Sequence, residues 1–147
     1  MIKCATIGMI GNAKLNPVLK SESDVQNYTF LTNDGDLYLV MNTPAGDDAY
    51  VDDLTIKAGE YLNGFLVKAW EGQELIADEK HIAYDSGKAY KDITKGTTIL
   101  TVNSAGKLAI AASAPTSGIY FKVTDKCRLT GNAVKVKVVV VDQDTKA

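Results

Sequence analysis

Apolar residues along the chain fall in short runs rich in Val, Ile, Thr and Tyr, and clusters of Gly, Asn, Asp and Ser separate the runs. Such runs predict short antiparallel strands, because β-branched and aromatic side chains pack well on a pleated surface. About ten strands are predicted, over residues 2–9, 28–31, 37–41, 54–56, 62–70, 81–84, 98–102, 107–111, 119–124 and 134–141. Asn33-Asp34-Gly35, Asn103-Ser104-Ala105-Gly106 and Thr130-Gly131-Asn132 supply the turn residues that tolerate positive φ, and the second should close a hairpin. Helical periodicity is weak: Gly interrupts most windows, and no segment holds apolar positions at three-and-four spacing beyond about two turns. One short helix is predicted over residues 70–77. The expected fold is therefore all-β, an antiparallel β-sandwich or β-barrel of about ten short strands with long loops, in a single domain over residues 1–147.

Two stretches depart from this pattern. Residues 11–27 are polar and lack clear periodicity, which reads as a long surface loop or as an arm that orders against a partner. Lys14, Leu15, Pro17, Val18, Leu19 and Lys20 are its candidate contact residues. Residues 42–53 form a second irregular stretch holding Pro44, Gly46 and four Asp. The last strand changes character midway. Val134, Val136, Val138 and Val140 should face one side, with Lys135, Lys137, Val139 and Val141 on the other. The lysines would guard an exposed sheet edge, whereas Val139 and Val141 call for cover by another strand, the terminal tail or a second chain.

Composition adds bounds. A chain of 147 residues, 46 % hydrophobic and 23 % charged, can bury a full core in one domain. Its net charge is −2, with fifteen Lys and one Arg, so the electrostatic attraction that carries phosphate-backbone binding is missing and no nucleic-acid partner is expected. The charge is uneven: residues 1–73 carry five Lys against ten acids, and residues 74–147 carry eleven basic residues against eight acids. Opposite poles of this kind arise on ordinary solvated surfaces, and they can also orient copies head to tail. No run approaches the roughly 20 apolar residues that span a bilayer, so no membrane partner is expected. The first ten residues are too short an apolar run for a secretory signal, which leads to an expectation of cytoplasmic synthesis. Cys4 and Cys127 have no nearby His or second Cys; reduced thiols and a disulfide pinning the termini both remain open.

Candidate chemistry is sparse. His81 is the sole histidine, in a turn-to-strand setting that reads as a surface or strand-end residue, with no Gly-x-Ser-x-Gly motif to supply a nucleophile. Asp34, Asp36, Asp47, Asp48, Asp52 and Asp53 form the densest carboxylate group. Their spacing matches no EF-hand loop, so solvated turn acids are expected, with a cation site as the alternative. Trp70, with Tyr61 before it, reads either as a core anchor or as a stacking platform for sugar rings. No catalytic residue, cofactor or metal is expected, and the chain reads as non-enzymatic.

Thr55-Ile56-Lys57-Ala58-Gly59-Glu60-Tyr61-Leu62-Asn63-Gly64, followed by Trp70-Glu71-Gly72-Gln73-Glu74-Leu75-Ile76-Ala77-Asp78, resembles small structural proteins of tailed-bacteriophage head modules. Residues 122–126, the Gly/Ala/Thr-rich region 94–118 and the final valine-lysine strand are similar in style. The resemblance is to capsid decoration, or cement, proteins. It implies an all-β virion protein on the capsid surface, made in the host cytoplasm, whose partner is the major capsid protein lattice, with copies of itself, as a homotrimer or as neighbours, as a further partner. Members of several such families carry a flexible N-terminal arm, whereas this chain opens on an apolar run. The alternative expectation is a receptor- or carbohydrate-binding β module of a head fibre or tail.

Overall fold

A computed structural model of the chain describes residues 2–4, 18–42, 54–129 and 131–141. They form thirteen strands: β1 (Ile2–Cys4), β2 (Val18–Lys20), β3 (Val25–Gln26), β4 (Phe30–Asn33), β5 (Asp36–Val40), β6 (Thr55–Ile56), β7 (Tyr61–Leu66), β8 (Glu74–Asp78), β9 (Ile82–Ala83), β10 (Ile99–Val102), β11 (Leu108–Ala111), β12 (Gly118–Arg128) and β13 (Asn132–Val141). A seven-stranded sheet runs β1-β8-β13-β12-β10-β11-β9, a four-stranded sheet β2-β7-β5-β4, and β3 pairs with β6 in a small ribbon. Every pairing is antiparallel except β9 with β11. The sheets curl into half-barrels, and the fold is all-β as expected.

The four-stranded sheet is a middle layer, because both of its faces are apolar. Phe30 and Leu39 enter the main core with Trp70, Leu75, Leu100, Leu108, Phe121 and the inward valines of β13. Their chain neighbours Leu31 and Val40 turn the other way, into a smaller core with Val25, Ile56 and Leu62 under the β3–β6 ribbon. Alternation along a strand sends successive side chains to opposite faces, so one sheet can serve two cores. Each fully buried Leu, Val or Phe contributes roughly 1.5–3 kcal/mol of transfer free energy, which is why these runs, short as they are, hold strands.

The hairpins follow the turn chemistry. Asp34 and Gly35 both have positive φ, 49° and 83°, between Asn33 and Asp36, the pattern of a two-residue turn whose twist matches its strands. Residues 103–107 close the predicted hairpin of β10 and β11. Strands β12 and β13 pair from Gly118↔Val141 to Arg128↔Asn132, with a bulge between Val123 and Asp125.

Several expectations need correction. Residues 70–77 are not a helix: Val67–Trp70 is a 3-10 turn, Gly72 with φ 77° ends it, and Glu74–Asp78 is strand. The Gly72 and Val138 amides donate to Val138 and Gln73 oxygens at 2.8 and 2.9 Å, so pairing with β13 captures a segment whose isolated pattern looked helical. The polar stretch 11–27 contains β2 and β3 rather than a continuous loop; its residues 11–17 lie outside the described ones. Strand β13 is not an edge, since β8 and β12 flank it, so its lysines guard no free backbone. Tyr28 sits in a turn with φ 61° instead of beginning a strand, and β4 starts at Phe30.

Candidate functional site

Two large apolar side chains stand out of the surface together. Val18 is 63 % and Tyr61 68 % exposed. Strand β2 pairs with β7 through Val18↔Asn63, Leu19↔Leu62 and Lys20↔Tyr61, so Val18, Lys20, Asn63 and Tyr61 share one face of this ribbon, with Val18 diagonal to Tyr61. Leu19 points to the other face, into the smaller core. Strand β2 is also the end strand of its sheet, which leaves backbone groups on its outer side free for pairing among the described residues.

A pair of asparagines, Asn27 buried and Asn42 half-buried, fixes this end of the sheet. Asn27, 1 % exposed, donates through Nδ2 to Asn42 O at 2.8 Å, and its Oδ1 accepts the Asn42 amide at 2.7 Å. The Asn42 side chain in turn donates to Tyr61 O at 2.9 Å and accepts the Asn63 amide at 2.7 Å. Two side-chain amides thus satisfy main-chain groups where the ladder between β5 and β7 gives out. The exposed Tyr61 is therefore carried on an anchored backbone.

Val139 and Val141 occupy a different surface, the outer face of the seven-stranded sheet. Both are half-buried, with Val139 opposite Tyr120 and Val141 opposite Gly118. The next pair along this face is Lys122↔Lys137, both exposed. Lys135 is engaged elsewhere: its Nζ lies 2.7 Å from Glu74 Oε2, and the Thr124 hydroxyl reaches both Glu74 Oε1 and Lys135 O. The hydrogen-bonded Lys135 ammonium holds the Glu74 carboxyl below its ordinary range, more strongly than burial raises it. The interface candidates of β2 and β13 thus share no face, and Lys14, Leu15 and Pro17 lie outside the described residues.

Trp70 is 3 % exposed and stacks on Phe65, with ring centroids 6.4 Å apart. It offers no face to a sugar, and the Tyr61–Trp70 platform is absent. His81 is neither on a strand nor at the surface: it ends the 3-10 turn Glu79–His81 just before β9, is 9 % exposed, meets Tyr28 edge-on at 5.6 Å, and has Nε2 3.7 Å from Asp78 Oδ1. Asp34 and Asp36 sit on the β4–β5 turn, while Asp47, Asp48, Asp52 and Asp53 lie outside the described residues. Among the described residues no three His, Cys, Asp or Glu gather in a metal-binding group. Cys127 is a free, half-buried thiol, pushed up in pKa by burial. No family model matches the chain, and no curated protein or solved structure matches it.

A cleft of about 480 Å³ lies between the β4–β5 turn and the adjoining ends of β10, β12 and β13. Leu37, Val102, Ile119 and Val140 give it an apolar floor, with Asp36, Lys68 and Asn103 among its polar walls. At the opposite end of the long hairpin, Tyr90 donates its hydroxyl to Ala133 O at 2.8 Å while Lys126 stacks its ammonium 4.2 Å over the Tyr90 ring. Burial pushes both the Tyr90 and Tyr84 phenols up from their ordinary value. This tyrosine group ties the 3-10 turn Tyr90–Asp92 to the hairpin and is structural. Sequence reasoning passed over Tyr120, Lys122 and the Asn27–Asn42 pair. For the first two a signal existed, the period-two alternation of residues 119–123 read against that of β13.

Proposed function

We propose that this chain is a non-enzymatic virion structural protein that docks in many copies on the outer surface of a tailed-bacteriophage capsid and stabilises the shell. The observation that carries the reading is the Val18–Tyr61 pair. Two large apolar side chains, each more than three-fifths exposed, lie diagonally across the β2–β7 ribbon, and the outer backbone edge of β2 has no strand partner among the described residues. Exposed apolar groups beside a free edge are costly to keep in water and favour burial against a partner. Val18 and Lys20 belong to the segment whose sequence suggested an arm, and the resemblance to decoration proteins names the lattice as partner. Weak contacts repeated on a lattice add up through multivalency, so a small patch suffices.

Co-sedimentation of the purified chain with expanded capsids that lack it tests the proposal. Saturation at a fixed ratio to the major capsid protein is the expected result. Absence of binding to such capsids would overturn it and move the weight to a receptor- or carbohydrate-binding module, for which the cleft beside Asp36 and Asn103 is the place to look.

A further inference from the structure

The fold turns the charge asymmetry of the sequence into an asymmetry of layers. Residues 18–66 build the four-stranded sheet and the ribbon, and all but one strand of the seven-stranded sheet comes from residues 74–141. Among the described residues, the first of these segments carries Glu22, Asp24, Asp34, Asp36 and Glu60 against Lys20 and Lys57, and it lies across the main core from the base-rich second segment.

Each side carries a like-charge pair on its exposed surface. On the outer face of the large sheet, Lys122 stands directly across from Lys137; Glu74, in register with Lys137 on its other flank, attracts it but gives its hydrogen bond to Lys135 at 2.7 Å, so a single carboxylate is shared and Lys122 gains none in register. Like charges placed opposite each other on a sheet destabilise it. On the other side, Asp34 and Asp36 project at the tip of the β4–β5 hairpin, whose residues 32–36 are all exposed. Their charges help raise the pKa of Tyr38 behind them, although burial of that phenol contributes more. Beside the lysine pair, Tyr120 and Val139 add a half-buried apolar column.

We propose that the outer face of the seven-stranded sheet, at Lys122, Lys137, Tyr120 and Val139, receives the Asp34-Gly35-Asp36 hairpin tip of a second copy of this chain. The hairpin is a narrow knob with two carboxylates, and the sheet face presents two ammonium groups beside an apolar strip that the knob covers. Each pair neutralises the repulsion within the other. The contact joins two different surfaces and is therefore heterologous, so it leaves a free knob and a free face for further copies. It deepens the capsid reading by naming a lateral partner on the shell, yet its own test needs no capsid.

Sedimentation velocity on the purified full chain, up to about millimolar concentration, gives the test. The expected result is self-association at low salt that weakens roughly tenfold at about 0.5 M salt, where the screening length falls to a few ångströms. K122E/K137E and D34N/D36K should each be monomeric alone, and an equimolar mixture should co-assemble in alternation, since the parent knob of the first meets the parent face of the second and the reversed knob meets the reversed face. Asn is used at position 34 because it tolerates the φ of 49° there. A wild-type chain that stays monomeric throughout, or a mixture that stays monomeric, would overturn the inference. The capsid reading is separable: a wild-type chain that saturates capsids but never self-associates overturns only this contact, and one that self-associates but ignores capsids overturns only the capsid role.

Discussion

The Phe30 amide donates to the Gly106 carbonyl at 2.9 Å, which seats the β10–β11 turn of the large sheet against the edge strand of the small one. Gly106 has φ 76°, and a Cβ there would overlap the Phe30 carbonyl oxygen and Thr29 Cγ2. Both the conformation and the close approach require glycine. Gly106→Ala should cost about 2 kcal/mol or more, from left-handed strain and the displaced backbone together. Urea unfolding reads this as a lower midpoint at unchanged slope; an unchanged midpoint would mean that the two sheets are not locked at this turn.

That contact also marks what the sequence could and could not reveal. Asn103-Ser104-Ala105-Gly106 announces a hairpin because turn residues act locally, and β10 and β11 appear as expected. Nothing local says that the same turn closes on Phe30, more than seventy residues earlier. Strand β2 was missed because Val18-Leu19-Lys20 is too short to show a period, and its existence depends on Leu62 of β7 across the ribbon. Strand β8 was misread for a related reason: Leu75 and Ala77 are buried in alternation, but only the position between β1 and β13 selects that period over a helical one. The exposed Val18 and Tyr61 were legible as residue types, not as neighbours.

The asparagine pair predicts a second stability effect. Asn27→Ala removes two hydrogen bonds to residue 42 at a site that is 1 % exposed, leaving the Asn42 amide and carbonyl without that partner. An unsatisfied buried group costs about 1–3 kcal/mol, so the variant should melt well below the parent in a calorimetric scan. Asn27→Asp should not rescue it, because a carboxylate accepts the amide but cannot donate to the carbonyl.

Acid should weaken the Glu74–Lys135 pair in a defined direction. Glu74 titrates below its ordinary value in the folded chain because Lys135 hydrogen-bonds its charged form. Its contribution is thus present above the ordinary carboxylate range and is lost as pH falls through the lowered folded value. Both side chains are more than a third exposed, so the size is about 0.5 kcal/mol after solvent screening. Glu74→Gln should therefore narrow the stability loss between neutral and acid pH by about that amount. Parallel pH profiles of parent and variant would contradict the coupling.

Trp70 is the sole tryptophan, buried against Phe65. Its emission should be blue-shifted and poorly quenched by iodide in the folded chain, and it should not respond to added sugars. A saccharide-dependent shift in that emission would reopen the stacking platform that its burial argues against. Trp70→Ala, in turn, should cost about 3–5 kcal/mol, the range for emptying a large aromatic site in a core.

The Val18–Tyr61 patch separates stability from docking. At 63 % and 68 % exposure these side chains contribute little to the fold, so V18S/Y61S should change unfolding free energy by no more than about 0.5 kcal/mol. The Asn42 bonds that hold this end of the ribbon go to the main chain of Tyr61 and Asn63 and survive the substitution. If the patch is the contact with the shell, the same variant should lose capsid binding by tenfold or more, because apolar anchors at the centre of an interface carry much of its energy. Lys20→Ala, on the same face, should act more weakly and mainly at low salt, where a rim charge steers association. A folded V18S/Y61S chain that still saturates capsids would move the contact away from β2, leaving the outer face of the seven-stranded sheet as the next surface to substitute.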